Sequence, residues 1–353
     1  MQRKLYPWLL ALLVLVMASC SKDENITTVK GRYDNGFFLL NEGSWGNETG
    51  SVHFYSYDTD SLYLYVYEKE NTGTGDTLGT NKQVLEFGTI YNNKLYLVVN
   101  LGGPLVVTDA STLKETGRIN NLPDRAHAFV GVDNTRGLIS TVNGIYPVNL
   151  SSLTTGTKIS GIDGSVTDMI KAGNYIFVLS ANNGIVALNA GDYSVAKVIG
   201  AATTGFAIGK DGSVWAATVN SLLKINASTL AVDTINTSFD VYFNEYNYNS
   251  GSIVASTTEN AVYVTSAYTM VYKYIVGNAA SLTTPFITLP ANHYLFGKGI
   301  AYNEKKGELV LNTTNDIYGG TVNTIYSYNA TTGAEGNNFI YNGKYYPAMA
   351  VFH

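Results

Sequence analysis

Only one cysteine, Cys20, stands in the 353 residues, so no intrachain disulfide can staple the chain. Charge is scarce too: Asp, Glu, Lys and Arg together make up 14% of the residues, and no basic stripe runs along the sequence. Phosphate backbones are held by clustered Lys and Arg, so nucleic acid is excluded as an expected partner. Histidine occurs four times, at His53, His127, His293 and His353. There is no Gly-x-Ser-x-Gly elbow, no His-Glu-x-x-His pair, no calcium loop and no glycine-rich phosphate loop leading into a helix. No set of metal ligands is visible, and no metal or cofactor is expected. After Met17 the sequence has neither an apolar span long enough for a bilayer nor a sustained helical periodicity.

What is there is repetition. A short turn opened by Asp or Asn recurs as Asp58 to Leu62, Asp109 to Leu113, Asn149 to Leu153, Asn189 to Tyr193, Asn226 to Leu230, Asn278 to Leu282 and Asn329 to Gly333. The intervals are 51, 40, 40, 37, 52 and 51 residues. That is the period of a four-stranded propeller blade, about 40–50 residues. An Asp or Asn side chain opens such turns by accepting a bond from a backbone N–H two residues on, so the motif is structural rather than catalytic. The expected fold is all-β, a seven-bladed β-propeller. Its 27 tyrosines and 35 glycines suit strands joined by tight turns.

Apolar runs set the strands within each blade. Phe37 to Leu40, Leu95 to Val99, Leu138 to Val142, Tyr175 to Leu179, Val214 to Ala217, Ala261 to Thr265 and Leu309 to Leu311 read as second strands. Runs such as Ala126 to Val132 and Gly205 to Ile208 read as innermost strands, joined to the second by polar turns such as Asn92-Asn93-Lys94. Tyr346 to Phe352 has the innermost pattern with nothing after it, while Phe37 starts a second strand with nothing before it. Pairing them closes the ring and removes free sheet edges. Insertions are expected between Glu68 and Lys82, where Asn71 to Gly79 reads as a mobile loop, and between Thr313 and Asn323.

The first residues carry an export address. Arg3 and Lys4 form a basic start, Leu9 to Met17 a short apolar core, and Met17-Ala18-Ser19-Cys20 resembles a bacterial lipobox. The expected division is residues 1–19 as lipoprotein signal peptide, 20–32 as a tether acylated at Cys20, and 33–353 as propeller. Lys22-Asp23-Glu24 is similar to the acidic signal that sends Bacteroidetes lipoproteins to the cell surface, so the expected location is the outer membrane, lipid-anchored and surface-exposed. Loss of Arg3 and Lys4 with the signal moves the formal net charge from −5 to −7.

If the Asx turns lie on one face of the ring, the loops after the second strands and those leading into the innermost strands share the opposite, open face. Asparagine stands at that post-second-strand position in six blades: Asn41, Asn100, Asn143, Asn182, Asn220 and Asn312. Such amides suit a polar, uncharged ligand. The neighbouring loops add Glu42, Trp45, Arg125, His127, Tyr242, Phe243, Tyr268, Tyr294, Phe296 and Tyr318. Aromatic faces beside amides suit a large amphipathic molecule. The chain is expected not to be an enzyme; in an enzyme reading the acid–base groups would be Asp124, Asp168 and Glu245, which read otherwise as loop carboxylates facing water.

The opening Gly36-Phe37-Phe38-Leu39-Leu40-Asn41-Glu42-Gly43 with Trp45-Gly46, Gly50-Ser51-Val52 and Tyr55 to Asp58 resembles the start of BtuG-type Bacteroidetes surface lipoproteins, YVTN-like propellers. The resemblance implies a protein that captures cobalamin (vitamin B12), or another corrinoid, and hands it to a TonB-dependent transporter of the BtuB type. It carries Asn41, Glu42 and Trp45 over as contact residues; the other candidates rest on loop geometry. Two further readings are a non-catalytic scaffold of an outer-membrane uptake complex and a propeller enzyme acting on a sugar or lactone.

Overall fold

The computed structural model describes residues 30–73, 77–242 and 252–353. The expected signal peptide, Cys20 and most of the tether lie outside them, as do Phe243 and Glu245. Residues Arg32–His353 form one compact unit. Seven antiparallel four-stranded sheets make up its blades.

Blade one is assembled from both ends of the chain: Pro347–Phe352 pairs with Gly36–Asn41, which pairs with Ser51–Ser56 and then Ser61–Tyr63. Leu39 lies opposite Ala350 and Leu40 opposite Met349, so the two termini share one sheet as the apolar patterns require. The innermost strands of blades two to seven are Val84–Tyr91, Ala126–Gly131, Val166–Ala172, Thr204–Ile208, Ile253–Ala255 and Tyr294–Asn303. Every second strand expected from the sequence occupies that place.

Burial falls off from the inside of the ring to the outside, which explains why second strands were so legible. Gly36–Asn41 is buried along its whole length, whereas the outermost strands Val195–Gly200 and Val232–Asn236 are largely exposed. Each blade buries both faces against its neighbours, so its middle strands are apolar runs and only its outer strand can be polar. Between blades two and three, Tyr96 stacks on Phe129 with centroids 4.2 Å apart. At the closing seam Phe37, Leu39 and Ala350 of blade one pack with Ala301, Val310 and Ile325 of blade seven. Full burial of one such large side chain contributes about 1.5–3 kcal/mol.

All seven recurrent turns join a third to an outer strand, but only part of the expected side-chain chemistry is present. Asp109, Asn149, Asn226 and Asn329 each accept two backbone N–H bonds through Oδ1, from the second and third residues after them. Asp58 instead accepts from the Asn35 amide, Asn189 donates to Ser194 Oγ, and Asn278 opens a short 3-10 helix, Ala279–Leu282, without a side-chain cap. The backbone is the more constant feature. Leu113, Leu153, Tyr193, Leu230 and Gly333 all have positive φ and donate their N–H to the carbonyl of the residue opening the turn.

Two loop expectations need correction. The insertion after blade one begins with a short helix, α1 (Val66–Glu70), too brief to leave a helical period in the sequence. The ends of the stretch Asn71 to Gly79 are anchored: Asn71 Nδ2 donates to Tyr67 O and Leu113 O, Glu115 N donates to Asn71 Oδ1, and Leu78 is buried, while residues 74–76 lie outside the described residues. Among the described residues no helix is long and apolar enough to cross a membrane.

Candidate functional site

A register slip near the start of the innermost strand recurs in six blades, adding one residue in five of them and three in blade seven. The register slips at Leu85/Phe87, Ala126/Phe129, Val166/Asp168, Thr204/Ala207, Leu295/Ile300 and, in blade one, opposite Leu40/Asn41. A bulge adds an unpaired residue, bends its strand and re-aims a side chain. Here the slips lie where the innermost strands leave the open face. Below that level, a central cavity of about 450 Å³ is lined by Phe87, Phe129, Asp168, Phe206, Lys298 and Met349 from six blades. It accommodates a small molecule; a bulky amphipathic ligand has to lie across the open face above it.

Bulged strands leave backbone carbonyls without ladder partners, and Asn312 answers that need. Asn312 Nδ2 donates to Phe296 O at 3.0 Å and to Pro347 O at 2.9 Å, tying blades seven and one together. Asn41 is buried; its Oδ1 accepts from Tyr341 OH at 2.8 Å and its Nδ2 donates to Leu39 O. Asn100 is buried as well, donating to Glu86 Oε2 at 2.6 Å and accepting from Leu101 N. The amides of Asn41 and Asn100 are thus engaged inside the protein instead of crowning the surface, which corrects the expectation of a uniform ring of ligand-facing asparagines. Asn143, Asn182 and Asn220 are exposed on the open face, with Asn143 bonded to Asp124.

Glu42 and Glu86 are both buried at the mouth. Burial pushes both carboxyls up, and the charge of Glu86 raises Glu42 further, so the pair resists carrying two charges at once. Sequence reading missed Glu86, although a lone carboxylate in the apolar run Val84-Leu85-Glu86-Phe87 is a usable signal. It also placed Asp168 in a loop facing water. Asp168 is instead buried in the innermost strand of blade four, accepting from Met169 N and, across to blade five, from Phe206 N at 2.8 Å. His127 is buried, with Nδ1 against Val166 O at 3.0 Å, and burial holds its pKa down at about 4. It is a neutral framework residue at neutral pH.

The exposed aromatics cluster on one side. Trp45 is 64% exposed and Tyr318 82% exposed, and Tyr346 OH donates to Tyr318 O. The Trp45 loop is held firmly: Ser44 O accepts from Asn47 N and Glu48 N, while Gly46 N donates to Asn81 O and Gly46 O accepts from Asn81 Nδ2. Gly43, at φ 83°, is required there because a Cβ would lie 2.4 Å from Thr49 O. Phe296 packs on Tyr346 at 5.4 Å, Tyr242 on Tyr268 at 4.3 Å, and Tyr294 is half-buried at the strand end. Arg125 is exposed on the other side of the mouth. Among the described residues no group of three or more His, Cys, Asp or Glu could hold a metal ion.

A family model described as "Domain of unknown function (DUF5074)" matches residues 35–353, the whole propeller. The chain belongs to the DUF5074 family. No curated protein matches this DUF5074 chain. Among solved structures it is similar to a quinoprotein alcohol dehydrogenase-like protein from Bacteroides thetaiotaomicron, at 21% identity and a TM-score of 0.73, covering 91% of this chain and 78% of that one. It is also similar to the computationally designed Ika8 protein, at 10% identity and a TM-score of 0.54, covering 91% and 96%. At these identities the likeness concerns the fold of the DUF5074 propeller alone.

Proposed function

We propose that this protein is a non-enzymatic, surface-anchored capture subunit that binds cobalamin on the open face and passes it to a TonB-dependent transporter of the BtuB type. The observation that carries the reading is Trp45, a largely exposed tryptophan on a loop fastened at several points, with exposed Tyr318 on a loop of the adjoining blade. Exposing such rings on rigid loops has a cost that ligand burial would offset, and rigid aromatics bind with little loss of entropy. Cobalamin presents a flat apolar ring rimmed by amides, which suits an open face with exposed aromatics on one arc and the exposed amides of Asn143, Asn182 and Asn220 on the other. The Asn-Glu-Gly opening and the lipobox at Cys20 support the same reading.

The test is titration of the chain from Ser21 onward with cyanocobalamin, followed by tryptophan fluorescence and calorimetry, with Trp45→Ala in parallel. Saturable binding that weakens by about tenfold or more in the variant is expected, as for an aromatic anchor. No binding at micromolar concentration would overturn the proposal. The same exposed aromatics favour a second reading, a scaffold that docks on a membrane protein; in that case Trp45→Ala weakens complex assembly and leaves cobalamin without effect.

A further inference from the structure

The seam between blades seven and one holds a separate cavity on the face that carries the Asx turns, away from the open face. Its volume is about 340 Å³, and its lining includes Phe37, Tyr55, Tyr57, Phe339, Lys306 and Glu308. Tyr55 and Phe339 stack in parallel, 4.6 Å apart at 7°, and Phe37 lies 5.3 Å from Tyr55. Together they form an aromatic wall of stacked rings, with Phe37 and Tyr55 buried and Phe339 partly exposed.

The polar groups are arranged around that wall. Lys306 Nζ sits 3.8 Å above the Tyr57 ring. The Glu308 side chain is half-buried and makes no hydrogen bond or ion pair within reach among the described residues; burial pushes its carboxyl up, and the charge of Lys306 offsets this only in part. A partly desolvated carboxylate without a partner is costly unless something else bonds to it. The outer strand also steps aside here. Its register slips between Tyr326 and Tyr328, Ser327 Oγ donates to Asn337 O, and Gly336 leaves the room a Cβ would fill, 2.7 Å from Ser327 Oγ. Bulges of this kind commonly flank binding sites.

We propose that this cavity binds a neutral saccharide. The partly exposed ring of Phe339 packs on the C–H groups of a sugar ring, Glu308 accepts from its hydroxyls and Lys306 donates to its oxygens. A cationic ligand would meet Lys306 already seated over Tyr57, and an anion would meet Glu308 and the neighbouring Asp60. The volume lies at the low end of small-molecule sites, about 300–1,000 Å³, so the cavity takes a small ring and not a corrin.

The experiment is saturation-transfer NMR on the chain from Ser21 onward with glucose, galactose, mannose and N-acetylglucosamine in turn. Saturable transfer from the protein to at least one of them at millimolar concentration is expected. The near-isosteric Glu308→Gln should weaken it by about tenfold, the size of losing one charge-assisted bond. Trp45→Ala should leave sugar binding unchanged, which separates this site from the open face. Absence of transfer to all four sugars, or binding by Glu308→Gln and Phe339→Ala equal to wild type with melting temperatures preserved, would overturn the proposal.

Discussion

In blades one, two and seven the asparagine near the end of the second strand is buried and bonded to backbone or carboxylate, whereas in blades three, four and five its counterpart is exposed. The difference follows from where each residue falls. Asn41, Asn100 and Asn312 belong to the strands themselves; the amides of Asn100 and Asn312 reach groups in the neighbouring slipped segments, and that of Asn41 bonds Leu39 O and Tyr341 OH. Asn143, Asn182 and Asn220 sit beyond the strand ends, in short connections to Gly144, Gly184 and Ser221. The first arc also carries the long loops, with Trp45 and Tyr318 at their tips. One residue type at one repeat position thus serves as framework in one arc and as surface in the other, and the open face is lopsided rather than seven-fold.

The largest expected effect concerns how the framework arc is closed. Deleting residues 346–353 removes the innermost strand of blade one and exposes the edge of Gly36–Asn41, so the protein should lose its cooperative thermal transition altogether. A shortened chain with an unchanged melting temperature would show that the seam contributes little and that the two arcs are equivalent.

Next in size is the comparison of asparagines. Asn312→Ala leaves Phe296 O and Pro347 O without their shared donor, a loss of about 1–3 kcal/mol for buried groups. Asn182→Ala, at an exposed position, should stay within about 0.5 kcal/mol. Urea unfolding of both variants decides the matter; equal losses would remove the distinction between framework and surface.

The smallest effect is a pH dependence. Burial raises the Glu86 carboxyl from its usual 4.5 to about 7. Its stabilising contribution is therefore fully present below about 4.5 and is lost as the pH rises towards 7, because the unfolded chain ionises first. His53 and His127 act in the opposite direction: burial holds both near 4 instead of 6.5, so their contribution is present above 6.5 and lost as the pH falls. Taking the difference between wild type and Glu86→Gln cancels the histidines. That difference should shift in favour of the variant between about pH 4.5 and 7; parallel stability curves would mean that the mouth carboxyls titrate normally.

The number of blades, their strand order and the closure by the two termini were all legible in the chain, because each depends on local patterns repeated seven times. A turn opened by Asp or Asn and a second strand apolar on both faces are each written in a few consecutive residues, and repetition makes even an imperfect motif readable. Asp58, Asn189 and Asn278 illustrate this, since the turn position holds while the side-chain bond differs. Trp45 was legible as well, as a tryptophan flanked by glycine and polar residues, and it is exposed. The bulges and what they recruit were decided by tertiary structure alone. Whether Asn100 meets Glu86, whether Asp168 reaches across to Phe206 N, and whether Glu308 is left beside an aromatic wall all depend on one-residue register slips and on neighbouring blades brought together from distant parts of the chain. Composition and spacing set which groups exist and on which face of the ring; packing sets which of them lose water, and burial then separates framework from surface.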